Sequence, residues 1–505
     1  MGRSNIASAA GQSPGIPSTK LSPGGAAKQP SSPFIFVTST NAKPDAASRK
    51  SIRSHVMRGK NRKRPSDEAG VQLGSWINGN ATGVASVDPS VKPSDVPRSM
   101  GSDLKCFPFV EDLTAPMLDL VFQFFTVIKQ NAYPAEICVD FDHSQWVEYF
   151  ATDAIFLYST LFSTKGFFDY LRQRPFGPDT MKYLGLSLAL LREKLSDSDA
   201  QTSDVTIASV VSLALVADKF GDVDSAEKHM QGLCQMVHLR GGIESFQNNP
   251  QLQVKICRAD LGVALSSGSK PLFFQQNISW NPYVATRDST TTPIHELHPS
   301  TPDQRLVNVW LDLQEFSRSA NLAFQTGRKM RGELFQEALI SAQYRLLALG
   351  AEKEYNSPLV ERMAEMGMLA FSTVTFLQIQ GLPMCMADFA AKLRCLLDSL
   401  AGRSSSPVLP TTIGQGLQPT PPLSGDIEVF LKFKLWLLFM GHISVLDQPK
   451  HHDLVSSCVW DTMTALGLST WPAVRAVLMG HMWVDWTHNS KGKALVETIL
   501  ATGTR

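Results

Sequence analysis

The feature that most limits how this chain can fold is an apolar pattern of helical period, which begins after Cys106 and holds nearly to the end. One clear example is the run of Leu184, Leu188, Leu191 and Leu195. Their intervals of four, three and four residues place them on one face of a helix. The pattern predicts an all-α fold, a large helical array of about thirteen helices over residues 105–505. The predicted helices lie near residues 115–130, 144–172, 179–195, 204–219, 223–240, 250–266, 303–326, 331–349, 358–379, 386–400, 425–446, 453–467 and 472–502.

Start and stop signals agree with several of these helices. Thr301 and Ser357 each precede a proline, an arrangement that predicts a side-chain cap at the start of a helix. Gly241 and Gly242 follow one predicted helix and Gly268 follows another, which is typical of helix ends. These signals favour separate helices joined by short connections.

Two polar stretches interrupt the helical pattern, near residues 275–300 and 402–425. The second contains the proline-bearing segments Ser404–Pro407 and Pro419–Pro422, which are typical of loops. We therefore predict that both stretches are surface loops within the helical array. A strand-like pattern occurs only at Phe34–Val37.

The first 104 residues differ in composition from the rest of the chain. Ser, Pro, Gly, Ala, Lys and Arg dominate them, so they offer too little apolar surface to offset the entropy lost on ordering. Residues 1–100 hold 14 Lys and Arg against 5 Asp and Glu, although the whole chain has a net charge of only +1. We predict a disordered basic tail over residues 1–104 and a helical domain over residues 105–505.

The most specific signal in the tail is a stretch of basic residues that contains no acidic residue. It consists of Arg49, Lys50, Arg53, Arg58, Lys60, Arg62, Lys63 and Arg64. Such a run predicts a nuclear-import signal or an arm that contacts phosphates. The alternative is a solvated block of charge that no receptor binds.

Targeting signals of other kinds are not evident in the sequence. Residues Met1 to Pro30 are polar and contain no apolar run of signal-peptide length. No run of about 18 uncharged apolar residues follows, so we expect no membrane partner. The chain is therefore expected in the cytosol or the nucleus, and the basic stretch favours the nucleus.

Cysteine and histidine spacing predicts neither a metal site nor a cofactor. The seven cysteines include no closely spaced pair that could deliver two thiolates to zinc from one turn of backbone. His451, His452 and Asp453 form the densest group of ligand-type residues. Adjacent side chains on a helix point in different directions, so this group is predicted to be a polar helix start capped by Asp453.

Motifs for catalysis are also missing from the sequence, and we predict that the chain is not an enzyme. It has no Gly-x-Ser-x-Gly elbow, no glycine-rich phosphate loop and no His-Glu-x-x-His helix. His481 and His488 lie among tryptophans and are predicted to belong to the aromatic face of a helix. Arg258 and Asp260 interrupt an apolar helix, and structural pairing of these charges is favoured over a ligand pocket.

Several segments together resemble fungal-specific transcription-factor-like proteins. They are Phe34–Val37, Arg53–Arg58, Asp179–Arg192, His229–Gly242 and Lys255–Phe274. The resemblance covers roughly residues 30–65 and 105–500, and it implies that the helical region is the regulatory part of a transcription regulator. Many members of that family also carry a six-cysteine binuclear zinc cluster near the amino terminus. This chain departs from that pattern, because no cysteine precedes Cys106.

These observations lead to one functional hypothesis and two alternatives. The chain is expected to be a nuclear transcriptional regulator or co-regulator without its own zinc finger, whose helical domain binds a protein partner or an effector. Expected partners are the transcription machinery or a DNA-binding regulator, an import receptor and, weakly, non-specific nucleic acid. An unrecognised helical enzyme and a non-catalytic helical scaffold are the alternatives.

Overall fold

The computed structural model describes most of the helical region. The described residues are 107–129, 134, 136–138, 144–276, 278–285, 292–297, 301–353, 357–379, 382, 386–403 and 425–502. All of them belong to one unit of the chain, residues 73–505. The predicted tail and most of the predicted loop at residues 402–425 lie outside the described residues.

Sixteen α-helices make up the described part of the chain, which contains no β-strand. They are α1 (Ala115–Gln123), α2 (Ser144–Thr152), α3 (Ala154–Leu171), α4 (Pro178–Leu195), α5 (Asp204–Lys219), α6 (Val223–Arg240), α7 (Pro250–Ser267), α8 (Pro293–Leu297), α9 (Gln304–Thr326), α10 (Gly332–Lys353), α11 (Leu359–Phe376), α12 (Ala387–Arg403), α13 (Gly425–Ser444), α14 (Pro449–Ala465), α15 (Trp471–Met479) and α16 (Asp485–Thr502). A π-helical turn, Phe124–Lys129, extends α1, and 3₁₀ turns lie at Ala200–Thr202 and Ile243–Phe246. The all-α prediction is confirmed for these residues.

Three predicted features differ from the structure. The helix predicted at residues 144–172 is two helices, because Asp153 has extended backbone and its carboxylate accepts a hydrogen bond from the Ile155 N–H to start α3. The helix predicted at residues 472–502 is interrupted between α15 and α16. The loop predicted at residues 275–300 contains the short helix α8, whose Ile294 is fully buried.

The helix ends predicted from glycines agree with the structure, whereas the helix caps predicted before prolines do not. Gly241 and Gly268 have φ of 107° and 75°, so the predicted stops of α6 and α7 are confirmed. The predicted caps before proline are wrong. Asp303 caps α9 by accepting from the Arg305 N–H, and α11 begins after Pro358 without a side-chain cap.

Helix α7 contacts helices that come before it in the chain, which we call the first half, and helices that come after it, which we call the second half. It packs against α5 and α6 from the first half and against α10 and α12 from the second half. Thirteen of its residues are buried, among them charged ones. Any polar group on this helix therefore needs a partner within the protein or in a bound ligand.

Helix α13 forms the centre of the second half. Its twelve consecutive residues Phe433–Ser444 are buried, and it contacts α8, α11, α14, α15 and α16. A helix that is buried on all sides loses the one-sided apolar pattern of a surface helix. None of the described helices is both long and apolar enough to cross a membrane.

Helix α4 lies where the leucine pattern predicts it, but its leucines do not all face the core. Leu191 is buried at 8% exposure, whereas Leu188 and Leu195 are 39% and 44% exposed. Tyr183 and Ser187 complete the buried face. The predicted leucine face is therefore only partly buried.

Candidate functional site

Arg258 and Asp260 are both buried on α7, and each has a partner, as predicted. Asp260 accepts hydrogen bonds from the Leu272 N–H at 2.8 Å, the Phe273 N–H at 3.1 Å and the Tyr344 hydroxyl at 2.8 Å. Burial raises the pKa of Asp260 to about 6, although these hydrogen bonds favour its charged form. Since both carboxylate oxygens accept a hydrogen bond, Asp260 anchors the chain after α7.

Arg258 belongs to a different face of α7 and contacts α11. Its Nη2 donates a hydrogen bond to the Phe376 carbonyl oxygen. Its guanidinium also lies 4.7 Å from the centroid of the Phe376 ring, which is a cation–π distance. The backbone carbonyl and the aromatic ring together stabilise this buried charge.

Lys255 lies on the same face of α7 as Gln251 and Arg258, because the intervals of four and three residues match the helical period. Its Nζ lies only 3.6 Å from the centroid of the Trp146 ring on α2. Among the described residues, no carboxylate forms an ion pair with it. Burial and, to a smaller extent, the positive charge of Arg258 together lower the pKa of Lys255 to about 7.

Trp146 fixes the position of this amine. Its side chain is 1% exposed, and its Nε1 donates a hydrogen bond to the Gln251 side chain. A second ammonium, Lys129 Nζ, lies 5.9 Å from the same ring centroid and 5.4 Å from that of Phe125. We call Lys129, Trp146, Lys255 and Arg258 the cation–indole cluster.

The cation–indole cluster is the strongest candidate site in the described residues. An amine with a pKa near 7 is partly uncharged at neutral pH, so it can bind an anion when protonated or act as a nucleophile when not. Lys129 and Arg258 are each 7% exposed, whereas Lys255 as a whole residue has intermediate exposure.

The ligand-type residues near residue 451 form no such site. Helix α14 begins at Pro449, so Asp453 lies inside it and does not cap its start as predicted. His451 is buried and its Nδ1 lies 2.8 Å from Arg394 Nη1, which donates to it. The described residues contain no group of three or more His, Cys, Asp or Glu side chains that could hold a metal ion.

His481 and His488 are buried among aromatic rings, but on different elements. His481 lies in the turn between α15 and α16, with its ring nearly parallel to that of Trp436 at 5.9 Å. His488 lies on α16, 5.0 Å from the Trp483 ring. Burial lowers the pKa of His481 to about 4 and that of His488 to about 3. The predicted aromatic environment of the two histidines is confirmed. The prediction that both lie on one helix is wrong, because His481 lies in the turn before α16.

The predicted nuclear-import stretch, residues 49–64, lies outside the described residues. No protein-family model, curated protein or solved structure matches the chain. The resemblance to fungal-specific transcription-factor-like proteins therefore stays a prediction from the sequence motifs.

Proposed function

We propose that this protein is a nuclear transcriptional regulator or co-regulator without its own zinc finger. The observation that carries the proposal is the combination, in one chain, of the basic stretch at residues 49–64 with a large all-α array. The basic stretch supplies a nuclear-import signal, and the helical array binds a protein partner or a small effector. The sequence resemblance to fungal-specific transcription-factor-like proteins points in the same direction.

One feature of the helical array supports a binding role. Met181, Leu188 and Leu195 expose 51%, 39% and 44% of their surface along α4, which leaves an apolar helix face available to a partner. The expected protein partners are components of the transcription machinery or a DNA-binding regulator.

Nucleic acid has a minor role in this proposal. A run of positive side chains neutralises phosphates, but reading a base sequence needs a rigid element placed in a groove. Any DNA binding by residues 49–64 should therefore be weak, independent of sequence and steeply reduced by salt. Sequence-specific contact with DNA would come from a partner protein.

The import role is tested with a fluorescent fusion of the full chain in which Lys60, Arg62, Lys63 and Arg64 are replaced by alanine. The variant should move to the cytosol, because the import receptor loses the charges it binds. The matched control removes four exposed basic residues of the helical region by the same replacement: Arg318, Lys392, Lys432 and Lys493. The control should remain nuclear, and a nuclear location of the tail variant would overturn the import role.

A helical enzyme is the second candidate, and Lys255 is the observation that favours it. A lysine with a pKa near 7 attacks a carbonyl compound to form an imine and release water. Lys255→Arg keeps the positive charge and removes the nucleophile. Substrate turnover by the purified protein that is lost in Lys255→Arg would favour the enzyme over the regulator.

A further inference from the structure

Helix α4 carries a line of exposed apolar side chains at the edge of the array. Its main contacts within the described residues are with α3 and with the 3₁₀ turn Ala200–Thr202. Met181, Leu188 and Leu195 are each seven residues apart, which is close to two turns of helix. They therefore lie along one line about 21 Å long, at 1.5 Å per residue. We call these three residues the α4 stripe.

The spacing of the α4 stripe fits a helical partner. Apolar residues that repeat every seven positions are the pattern with which two helices pack, each side chain of one helix entering a hole on the other. Gly185 lies one turn from Met181, and no atom lies within 4 Å of the position that a Cβ would take there. This open space provides a hole for a partner's side chain. An amphipathic helix of about 14 residues would cover the stripe with its apolar side.

The charges beside the α4 stripe are positive. Lys182 and Arg192 are exposed, and each lies within about 100° of the nearest stripe residue around the helix. Neither forms an ion pair within the part of the chain that the structure describes. The carboxylates of α4, Asp179 and Glu193, lie about 140–160° around the helix from the nearest stripe residues. Charge complementarity therefore favours an acidic partner.

A second copy of the chain and the amino-terminal tail fit the stripe less well. Two copies would bring the same cations together. Two stripes about 21 Å long and about 10 Å wide would also bury well under the roughly 1,200 Å² of a stable interface. Residues 1–100 hold 14 Lys and Arg against 5 Asp and Glu, so the tail carries the same sign of charge as the stripe.

An anionic membrane also fits less well than an acidic protein segment. Helices that lie on membranes are rich in Lys and Arg along their polar face, and clusters of about 4–8 basic residues recognise anionic lipids. Only two cations, Lys182 and Arg192, border the stripe on α4. The chemistry therefore points to a partner protein.

We propose that the α4 stripe binds an acidic amphipathic helix of a partner protein, with the partner's carboxylates on Lys182 and Arg192. Segments that alternate acidic and apolar residues are typical of activation regions, which belong to the partner class of the proposed function. The proposal rests on the proposed function only for that class. Because the stripe is small, the complex should be transient, with a dissociation constant of roughly 10–100 μM.

Fluorescence anisotropy with labelled synthetic peptides and the purified full chain tests the proposal. The probe has about 15 residues, with leucine at heptad positions a and d and glutamate at the others. One comparison peptide replaces every glutamate by lysine, and another contains the same residues in scrambled order. The acidic amphipathic peptide should bind at least about tenfold more tightly than either. No binding of it up to about 1 mM, or equal binding of the lysine peptide, would overturn the proposal.

Charge reversal locates the binding. Lys182→Glu combined with Arg192→Glu should weaken binding of the acidic peptide by at least about tenfold and strengthen binding of the lysine peptide. Loss of the fold would not produce such a change of preference. The matched control is Arg331→Glu with Lys493→Glu, which reverses side chains that are 82% and 58% exposed elsewhere on the protein. The control should keep the wild-type preference, and an unchanged preference in the α4 variant would contradict the site.

Removal of the central leucine tests the apolar contribution. Leu188→Gln should weaken binding of the acidic peptide by at least about tenfold, because it removes the middle of the stripe. The matched control is Leu239→Gln on α6, which replaces a leucine that is 63% exposed and should leave the affinity unchanged. Circular dichroism verifies that each variant is folded. Wild-type affinity in Leu188→Gln would refute the stripe as the contact surface.

Three further measurements identify any other occupant, and each has an outcome that would overturn the proposal. Sedimentation should show a monomer, and a dimer that dissociates in Leu188→Gln would assign the stripe to a second copy. Replacement of Phe34 and Phe36 by serine should leave peptide affinity unchanged, and a tenfold gain would assign the stripe to the tail. Phosphatidylserine vesicles should not compete with the peptide, and competition that depends on Lys182 and Arg192 would assign the stripe to a membrane.

The outcomes separate this site from the regulatory function. Acidic-peptide binding that depends on Lys182 and Arg192, together with transcripts that do not respond to loss of the protein, would leave the site standing and remove the regulator. Transcripts that respond, together with no binding of the acidic peptide, would leave the regulator standing and remove the site.

Discussion

Arg345 Nη2 lies 2.7 Å from Asp312 Oδ2, and both side chains are only 2% exposed. This ion pair joins α9 to α10 inside the protein. Asp312 also accepts hydrogen bonds from the backbone N–H groups of Tyr283, Val284 and Ala285. One carboxylate thus holds two helices and the preceding loop together.

Asp312→Ala should therefore reduce the free energy of unfolding by about 3–5 kcal/mol, because it leaves the Arg345 charge buried without its partner. Urea unfolding followed by circular dichroism measures the effect. The control is Glu497→Ala, which removes an ion pair with Lys493 at 3.7 Å whose side chains are 63% and 58% exposed. The control should cost less than about 1 kcal/mol, and equal effects of the two changes would contradict this role.

Gly367 on α11 allows the Trp436 ring of α13 to approach the helix backbone. A Cβ atom at Gly367 would lie 2.3 Å from Cζ3 of Trp436, which is well inside contact distance. Gly367→Ala should therefore reduce the free energy of unfolding by about 1–3 kcal/mol through overpacking. Gly232→Ala on α6 is the matched control, since no atom lies within 4 Å of its Cβ position. The control should stabilise the protein by about 0.5–1 kcal/mol, and a neutral Gly367→Ala would refute the close packing.

His481 should contribute to acid unfolding. Its pKa is about 4 in the folded protein and about 6.5 when unfolded, so between these values the unfolded chain binds one more proton. The free energy of unfolding should therefore fall as the pH drops from 6.5 to 4, by about 1.4 kcal/mol per pH unit from this group. His481→Phe retains the aromatic packing and should remove that part of the slope.

Urea unfolding at pH 6.5, 5.5 and 4.5 measures the slope for His481→Phe and for a control. The control is His238→Phe on α6, which replaces an exposed histidine and should leave the slope close to the wild-type value. A slope for His481→Phe as steep as that of the wild type would show that other groups govern acid unfolding.

The sequence predicts individual helices well where local signals are strong. Helices α5 and α6 have the predicted bounds, because Ser203 and Asp222 cap their starts and Gly241 ends the second. The sequence does not reveal the break at Asp153, since apolar residues continue on both sides of it. It also misses α8, whose five residues are too few for a periodic pattern.

The candidate site is only partly visible in the sequence. The charged residues on α7 stand out because they interrupt an apolar helix, and burial of Asp260 requires a partner without identifying which residue it is. The contact between Lys255 and Trp146 cannot be predicted from the sequence, because it depends on how α2 packs against α7. Gln251, which holds the Trp146 indole, is 105 residues away along the chain. The helical spacing of Gln251, Lys255 and Arg258 was the available signal, and it identifies a shared face without identifying what covers it.

Transcript sequencing after deletion of the gene tests the central proposal most directly. The deleted cells are complemented with the wild-type chain or with the variant that replaces Lys60, Arg62, Lys63 and Arg64 by alanine. A nuclear regulator predicts that a defined set of transcripts changes on deletion, that the wild type restores it, and that the alanine variant does not. Transcript levels that are the same in deleted and wild-type cells would contradict the regulator and favour a helical scaffold.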